Sequence, residues 1–200
     1  MVKNNSVGFA IGNGLSREGF DLDRLRNNGT SIACNYIYNT WEPDYLVTLD
    51  TVPNQEIQDL IDYDWPRRWK WISRTRRNDT EWRMWQTLEG KPGRPIVDIN
   101  RGYNNNSGVM AAAYLSEILE VETVYMIGID FFLQVDNRDN DIIAGNTYFA
   151  SGIVNVWNML AKSNPETKFI RVGPIADKDC VDCYDKLKGF TFIEYEDFPY

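Results

Sequence analysis

The sequence contains no histidine, and this absence excludes a broad set of mechanisms. Catalytic triads and dyads that use an imidazole, histidine general bases and zinc sites with histidine ligands all require this residue. The sequence also lacks an apolar run of the roughly 18 residues that a transmembrane helix needs. Its first residues do not show the charged-then-apolar pattern of a signal peptide. We therefore expect a cytoplasmic protein without a transmembrane segment.

Cysteine is scarce as well: the chain has three, an odd number that predicts no disulfide framework. Cys34 lies in an apolar, strand-like run and is expected to be a core thiol. Cys180 and Cys183 form one Cys-x-x-Cys, but a zinc site needs two further ligands and Cys34 is the only other thiol. We expect no metal site; reduced loop cysteines are the favoured interpretation, and a redox pair stays open.

The charge distribution is uneven, although the net charge of −8 alone argues against binding duplex nucleic acid over the whole surface. Residues 65–85 hold seven basic residues, two acidic residues and five of the seven tryptophans, so this segment carries +5 and the remainder −13. A helix and strand that bury the tryptophans and expose the arginines would explain the pattern. Contact with an anionic sugar or glycan is the second interpretation, and nucleic acid the third.

Apolar runs that alternate between strand-like and helix-like patterns dominate the rest of the chain. Such alternation predicts an α/β fold: a Rossmann-like, mostly parallel sheet with helices on both faces, as a single domain over residues 1–200. The predicted strands are Val7–Gly12, Thr30–Cys34, Asp44–Leu49, Pro95–Ile99, Thr123–Ile129 and Lys168–Val172, and the predicted helices are Asp21–Arg26, Pro53–Asp62, Ser107–Leu119 and Ala150–Ala161.

Small polar residues and glycines follow the carboxyl ends of these strands, where open α/β sheets bind ligands. Glycines let the backbone approach a phosphate, and asparagine and aspartate suit ribose hydroxyls and base edges. Local turn and cap roles are the alternative for each residue. Neither the dinucleotide-binding glycine pattern nor a P-loop is present. The candidate binding residues are Gly12, Asn13, Gly14, Ser16, Asn35, Asp50, Ser107, Gly108 and Asp130.

Four short motifs occur in order: Ala-Ile-Gly-Asn-Gly-Leu-Ser from Ala10, Ala-Cys-Asn-Tyr-Ile-Tyr from Ala33, Asn-Ser-Gly-Val-Met-Ala-Ala-Ala from Asn106, and Val-Tyr-Met-Ile-Gly-Ile-Asp-Phe from Val124. Together they resemble the family 42 bacterial sialyltransferases and their DUF115-type, motility-accessory-factor-like glycosyltransferase relatives. Leu15 stands where the family has proline. The resemblance covers about residues 7–132, and more loosely extends to about residue 174.

The resemblance implies a metal-independent glycosyltransferase that needs no cofactor, binds a CMP-activated nonulosonic sugar and transfers it to a glycan acceptor. By position, Asn13 would contact the nucleotide phosphate or ribose, and Asn35 the base or ribose. Ser107 and Gly108 would cradle the nucleotide, and Asp130 would close the pocket floor. Asp50 stands where the sialyltransferases have asparagine.

The catalytic half of the family pattern is altered. The family's general base is a histidine, and this chain has none. Phe132 occupies the first of two family tyrosine positions, and the lid expected over residues 133–147 is short. Inverting transfer needs a base for the acceptor hydroxyl proton, and Asp136, Asp139 and Asp141 are the local candidates. We expect Asp141 and Tyr148 to be the catalytic residues.

The aspartate-rich run that contains these candidates has two other interpretations, a solvated loop and a calcium loop, and the latter fails on ligand spacing. Two functions besides transfer also remain open at this point. One is an inactive glycosyltransferase fold that binds or scaffolds, and the other is a pterin diphosphokinase-like transferase. Nucleic acid is not an expected partner, and a homo-oligomer is left open.

Overall fold

The computed structural model describes residues 5–49, 55–57, 70–77, 81–87, 106–130, 134–136, 141–143, 147–174 and 185–200. At residues 15, 73–77, 81–87, 134–136, 141–143 and 147–152 only the backbone is described. The strands are β1 (Val7–Ile11), β2 (Thr30–Cys34), β3 (Tyr45–Thr48), β4 (Lys70–Arg77), β5 (Glu81–Thr87), β6 (Thr123–Ile127), β7 (Gln134–Asp136), β8 (Asp141–Ile143), β9 (Lys168–Val172) and β10 (Phe190–Ile193).

In the described ranges the strands are accompanied by α1 (Ser107–Ala113), which continues as a π-helix over Tyr114–Ile118, and by α2 (Thr147–Ser163). The same ranges contain 3₁₀ helices over Leu15–Arg17, Leu22–Leu25, Asn35–Asn39 and Tyr195–Asp197, and residues 55–57 are α-helical. None of the helices in the described ranges is long and apolar enough to cross a bilayer.

Eight strands form one sheet in the order β10-β9-β6-β1-β2-β3-β4-β5. All neighbours pair in parallel except β4 and β5, which are antiparallel. The chain runs outward from β1 to β4 on one side, and then from β6 to β10 on the other. The direction therefore switches between β1 and β6, which is where ligands bind in sheets of this class. The predicted Rossmann-like α/β fold is confirmed.

The buried residues form two clusters, one on each face of the sheet. On the first face, α1, the π-helix and α2 pack against Ala10, Val47, Met126 and other sheet residues. On the second face, the 3₁₀ helices and the carboxyl-terminal segment pack against Phe9, Ile11 and their neighbours. Each large apolar side chain buried in these clusters stabilises the fold by about 1.5–3 kcal/mol.

Most predicted elements appear near their expected bounds, with instructive differences. The helix expected over Asp21–Arg26 is a 3₁₀ helix, Leu22–Leu25. In the helix expected over Ser107–Leu119, the α-helical part ends at Ala113; Ser116 Oγ then donates to Ala112 O over 3.1 Å within the π-helix. The strand expected over Pro95–Ile99, most of the helix over Pro53–Asp62, and both Cys180 and Cys183 lie outside the described residues.

The basic, tryptophan-rich segment contributes a β-hairpin rather than a helix and a strand. Strand β4 pairs with β3 only as far as Ser73, opposite Thr48, but it pairs with β5 as far as Arg77, opposite Glu81. The distal half of the hairpin thus extends beyond the carboxyl end of β3. This half holds Arg74, Arg76, Arg77 and Arg83.

Candidate functional site

The loop after β1 lies against the loop after β6 at the point where the sheet changes direction. The amide of Gly12 donates to Ile127 O over 2.8 Å, and the amide of Gly14 donates to Gly128 O over 2.7 Å. These two hydrogen bonds continue the pairing of β1 and β6 past the ends of both strands. The resulting glycine loop, residues 12–14, is held at the carboxyl edge of the sheet.

Close approach of the two backbones explains why glycine stands at three of these positions. A Cβ on Gly12 would overlap Gly128 O, and one on Gly14 would lie 2.5 Å from Asp130 Oδ2. Gly128 has a φ of +64°, and a Cβ there would lie 2.6 Å from Gly12 O. Larger residues would force the loops apart, so the glycines maintain the shape of this edge.

Three of the predicted binding residues converge beside the glycine loop. Asn13 Nδ2 donates to Cys34 O over 3.2 Å, which ties the loop to the end of β2. The next residue, Asn35, has a φ of +50°, and its Oδ1 accepts from Ser107 Oγ over 3.3 Å. Asn13, Asn35 and Ser107 therefore occupy one corner of the carboxyl edge. Asp50 lies outside the described residues.

The first turn of α1 completes this corner. The N-cap residue, Asn106, accepts from the amide of Val109 over 3.0 Å, so the side chain satisfies one of the helix's unpaired amides. Gly108 brings the helix close to the loop after β6, since a Cβ there would be 3.4 Å from Ile129 Cδ1. Within a helix, the first amides, here those of Ser107 and Gly108, have no acceptor.

Asp130 has a structural role that the sequence did not indicate. Its Oδ1 accepts from Arg171 Nη2 over 3.2 Å, and its Oδ2 accepts from the amide of Ser16 over 3.0 Å. The two paired side chains are 1% and 0% exposed. Arg171 also donates to Gly173 O over 2.6 Å and to Pro174 O over 2.8 Å. Asp130 thus joins β9 to the glycine loop, and its expected place on a pocket floor stays a prediction.

Ser16 lies behind the glycine loop, with only 3% of its surface exposed. Nearby, Arg17 donates from Nε to Gly12 O over 3.0 Å, and its side chain passes close to Gly128. Burial lowers the pKa of Arg17 and raises the pKa of Tyr195, whose phenol interacts with the charges of Arg171 and Asp130.

Arg17, Arg171 and Tyr195 were missed by reasoning from the sequence. The first lies in a short polar segment, and the third lies on a strand-following 3₁₀ helix near the end of the chain. Arg171 stands between Ile170 and Val172 in β9, and because arginine is mostly exposed in proteins, the sequence gives no sign that this one is buried. The signal that could have identified Arg171 is an arginine in a strand whose carboxyl end lies at the ligand-binding edge of the sheet.

The two predicted catalytic residues are placed by their backbone alone. Asp141 begins β8, and its register partner in β7 is Asp136, so the expected lid holds a small antiparallel hairpin. Asp139 lies outside the described residues. Tyr148 lies in the first turn of α2. Both catalytic assignments remain predictions from the sequence.

No group of three or more cysteine or acidic side chains in the described ranges could hold a metal ion. A cavity of about 410 Å³ lies at the opposite edge of the sheet, beside the starts of β2, β3 and β4. Three of its lining side chains are already hydrogen-bonded: Lys70 Nζ donates to Tyr45 Oη over 3.1 Å, and Asp44 Oδ2 accepts from Ser31 Oγ over 2.9 Å.

Comparison of the chain with protein-family models, with curated proteins and with solved structures gives no match. The motif resemblance to glycosyltransferases thus remains an expectation from the sequence. The geometry at the carboxyl edge is the independent observation on which a function can be argued.

Proposed function

We propose that this protein is a metal-independent glycosyltransferase that binds a CMP-activated nonulosonic sugar at the carboxyl edge of its sheet. The supporting observation is the convergence of Asn13, Asn35 and Ser107 beside a glycine loop at the topological switch point. Hydroxyl and amide groups of this kind suit a ribose and a base edge. The close backbone approach at Gly12 and Gly14 suits a neighbouring phosphate.

In the proposed reaction the bond between the sugar's anomeric carbon and the CMP phosphate oxygen breaks. The acceptor hydroxyl oxygen forms the new glycosidic bond, and its proton passes to a carboxylate base, which we assign to Asp141. The electron pair of the broken bond leaves with CMP. Tyr148 would stabilise the departing phosphate through its phenolic hydroxyl.

The distal half of the β4–β5 hairpin is suited to the acceptor side of such a site. It extends past β3 at the same edge of the sheet as the glycine loop, and it contains four arginines. Arginine recognises carboxylates as a bidentate donor. We therefore assign an anionic glycan acceptor to this hairpin.

Isothermal titration with CMP and CDP tests the binding half of the proposal. Wild-type protein at tens-of-micromolar concentration should release or absorb measurable heat, because Asn13, Asn35 and Ser107 already lie together at the carboxyl edge. Asn13→Leu and Ser107→Leu should abolish this binding. The matched control is Asn155→Leu, at an exposed position on α2, which should bind as the wild type does. Absence of heat with both nucleotides would overturn the proposal.

The absence of histidine specifically favours a second candidate, a glycosyltransferase fold that binds the nucleotide sugar without transferring it. The two candidates share the binding result and differ in turnover. Slow hydrolysis of a CMP-sugar by wild-type protein, lost in Asp141→Asn, would support the transferase. Binding without any turnover would support the inactive module.

A further inference from the structure

A second polar cluster lies behind the glycine loop, on the other side from Ser107. Tyr195 and Phe20 pack in the cluster on the second face of the sheet, with their ring centroids 5.1 Å apart, whereas α1 packs on the first face. The Arg17 side chain runs beside Gly128, where a Cβ would lie 2.7 Å from Arg17 Cβ. Arg17 interacts with the Tyr195 phenol, and the Ser16 amide donates to Asp130, whose charge also acts on that phenol. The three residues therefore lie around Asp130, and not at the nucleotide corner formed by Asn13, Asn35 and Ser107.

Two hydroxyl groups in this cluster are buried without a hydrogen-bond partner in the described part of the chain. They are Ser16 Oγ and Tyr195 Oη. A buried hydroxyl without a partner destabilises the folded state, because it has lost its bonds to water. Both residues are linked to the buried Asp130–Arg171 pair, since the Ser16 amide donates to Asp130 and the charges of the pair act on the Tyr195 phenol. Two unpartnered hydroxyls in residues tied to one ion pair indicate that a further group accepts from them.

The buried groups around Tyr195 also carry more positive than negative charge. The charges of two guanidinium groups, Arg17 and Arg171, and of one buried carboxylate, Asp130, act on the Tyr195 phenol, and Asp130 is paired with Arg171. Both oxygens of Asp130 are already engaged. The carboxylate of Glu194, the residue before Tyr195, is exposed. Among the described residues, Arg17 donates one hydrogen bond, from Nε, so its terminal nitrogens remain for an acceptor.

We infer that Ser16, Arg17 and Tyr195 form a binding site for a small oxyanion of the phosphate class, distinct from the nucleotide corner. Such an anion would accept from both buried hydroxyls and from the terminal nitrogens of Arg17, and it would neutralise the extra positive charge. A water molecule would satisfy the hydroxyls but leave the charge uncompensated. The inference assigns Ser16 to this site, and it stands whether or not the protein binds CMP.

Thermal unfolding in sodium phosphate and in sodium chloride of equal ionic strength tests the inference, with inorganic phosphate as the probe. Phosphate should raise the melting temperature of the wild type above its value in chloride, because a ligand bound only by the folded state stabilises that state. Isothermal titration with phosphate then gives the dissociation constant. No phosphate-specific stabilisation up to tens of millimolar would overturn the inference.

Variants locate the site. Arg17→Met should weaken phosphate binding by about tenfold or more, and Tyr195→Phe and Ser16→Ala should each weaken it several-fold, because each removes a donor to a charged group. In chloride, Tyr195→Phe and Ser16→Ala should melt at or above the wild-type temperature, since each removes an unsatisfied hydroxyl. Arg24→Met, which changes an arginine stacked on Phe20 from outside, should bind phosphate normally. Equal losses in Arg24→Met and Arg17→Met would overturn the site.

A competition experiment separates this site from the nucleotide corner. Saturating phosphate should leave the affinity for CMP and for cytidine unchanged. Phosphate that competes strictly with CMP, but not with cytidine, would mean that the anion occupies the nucleotide's phosphate position, and the inference of a distinct site would fail. Phosphate binding without CMP binding would support the inference while overturning the proposed function.

Discussion

Arg171 donates to Asp130 Oδ1 over 3.2 Å in a pair that is sealed from solvent on both sides. The other oxygen of Asp130 accepts from the amide of Ser16, so this one carboxylate connects the end of β9 with the loop after β1. Because the loop borders the candidate nucleotide corner, the buried pair also supports the position of Asn13.

Asp130→Asn should lower the free energy of unfolding by about 3 kcal/mol or more, because it leaves the Arg171 guanidinium buried without a counter-charge. Urea unfolding measures the change. The matched control is Asp23→Asn, which breaks the exposed pair with Arg26 and should barely move the midpoint. The double variant Asp130→Asn/Arg171→Met should recover part of the loss. Equal midpoints for Asp130→Asn and the wild type would contradict this account of the pair.

Gly128→Ala should destabilise the protein clearly more than Gly19→Ala does. Both glycines have positive φ, at +64° and +80°, which costs a side-chain-bearing residue about 1–2 kcal/mol. A Cβ at Gly19 would meet nothing within 4 Å, whereas one at Gly128 would collide with Gly12 O and Arg17. The difference between the two variants in urea unfolding therefore measures the close approach alone. Similar losses for both would show that the loops can separate freely.

The fold was predictable because its central strands are short and apolar, and because glycines follow several of them in the sequence. β1, β2, β6 and β9 all lie where the sequence placed them, since a strand buried on both faces has no other easy interpretation. β10 escaped prediction because Phe190–Ile193 is a short run at the edge of the sheet, only partly buried. The β4–β5 hairpin was not predicted, because the spacing of its tryptophans and arginines is compatible with both a helical and a strand period.

Alkaline pH should destabilise the wild type more than Tyr114→Phe. Tyr114 is buried, 3% exposed, and its burial raises the pKa of its phenol above the ordinary value of 10.0. Above that value the unfolded state releases the proton and the folded state keeps it, so stability falls as pH rises. Urea unfolding at pH 8 and pH 11 should show a smaller loss for Tyr114→Phe. A pH-independent difference between the two proteins would contradict the prediction.

Replacing Arg74 and Arg76 with glutamine should raise KM for an anionic glycan acceptor several-fold, with KM for the CMP-sugar unchanged. The reason is that the hairpin is assigned to the acceptor and the nucleotide corner to the donor. Steady-state kinetics with an anionic and a neutral acceptor measure the effect, which should be larger for the anionic one. A rise in the KM for the CMP-sugar instead would show that the hairpin contacts the donor, and would contradict its assignment to the acceptor.

Only part of the candidate site was predictable from the sequence, and there is a physical reason why some residues were predicted and others were not. Asn13, Asn35 and Ser107 follow strand ends or begin a helix, so their common location follows from topology. The pairing of Asp130 with Arg171 depends on two strands whose adjacency the sequence does not state. Tyr195 reaches the same edge only because the carboxyl-terminal segment packs on the second face.

A crystal structure grown with CMP, at a concentration far above the dissociation constant found by titration, tests the central claim most directly. The account predicts electron density for the nucleotide beside the glycine loop, with the ribose or base within hydrogen-bond distance of Asn13, Asn35 or Ser107. Nucleotide density at any other place, such as the cavity beside Tyr45 and Lys70, would contradict it.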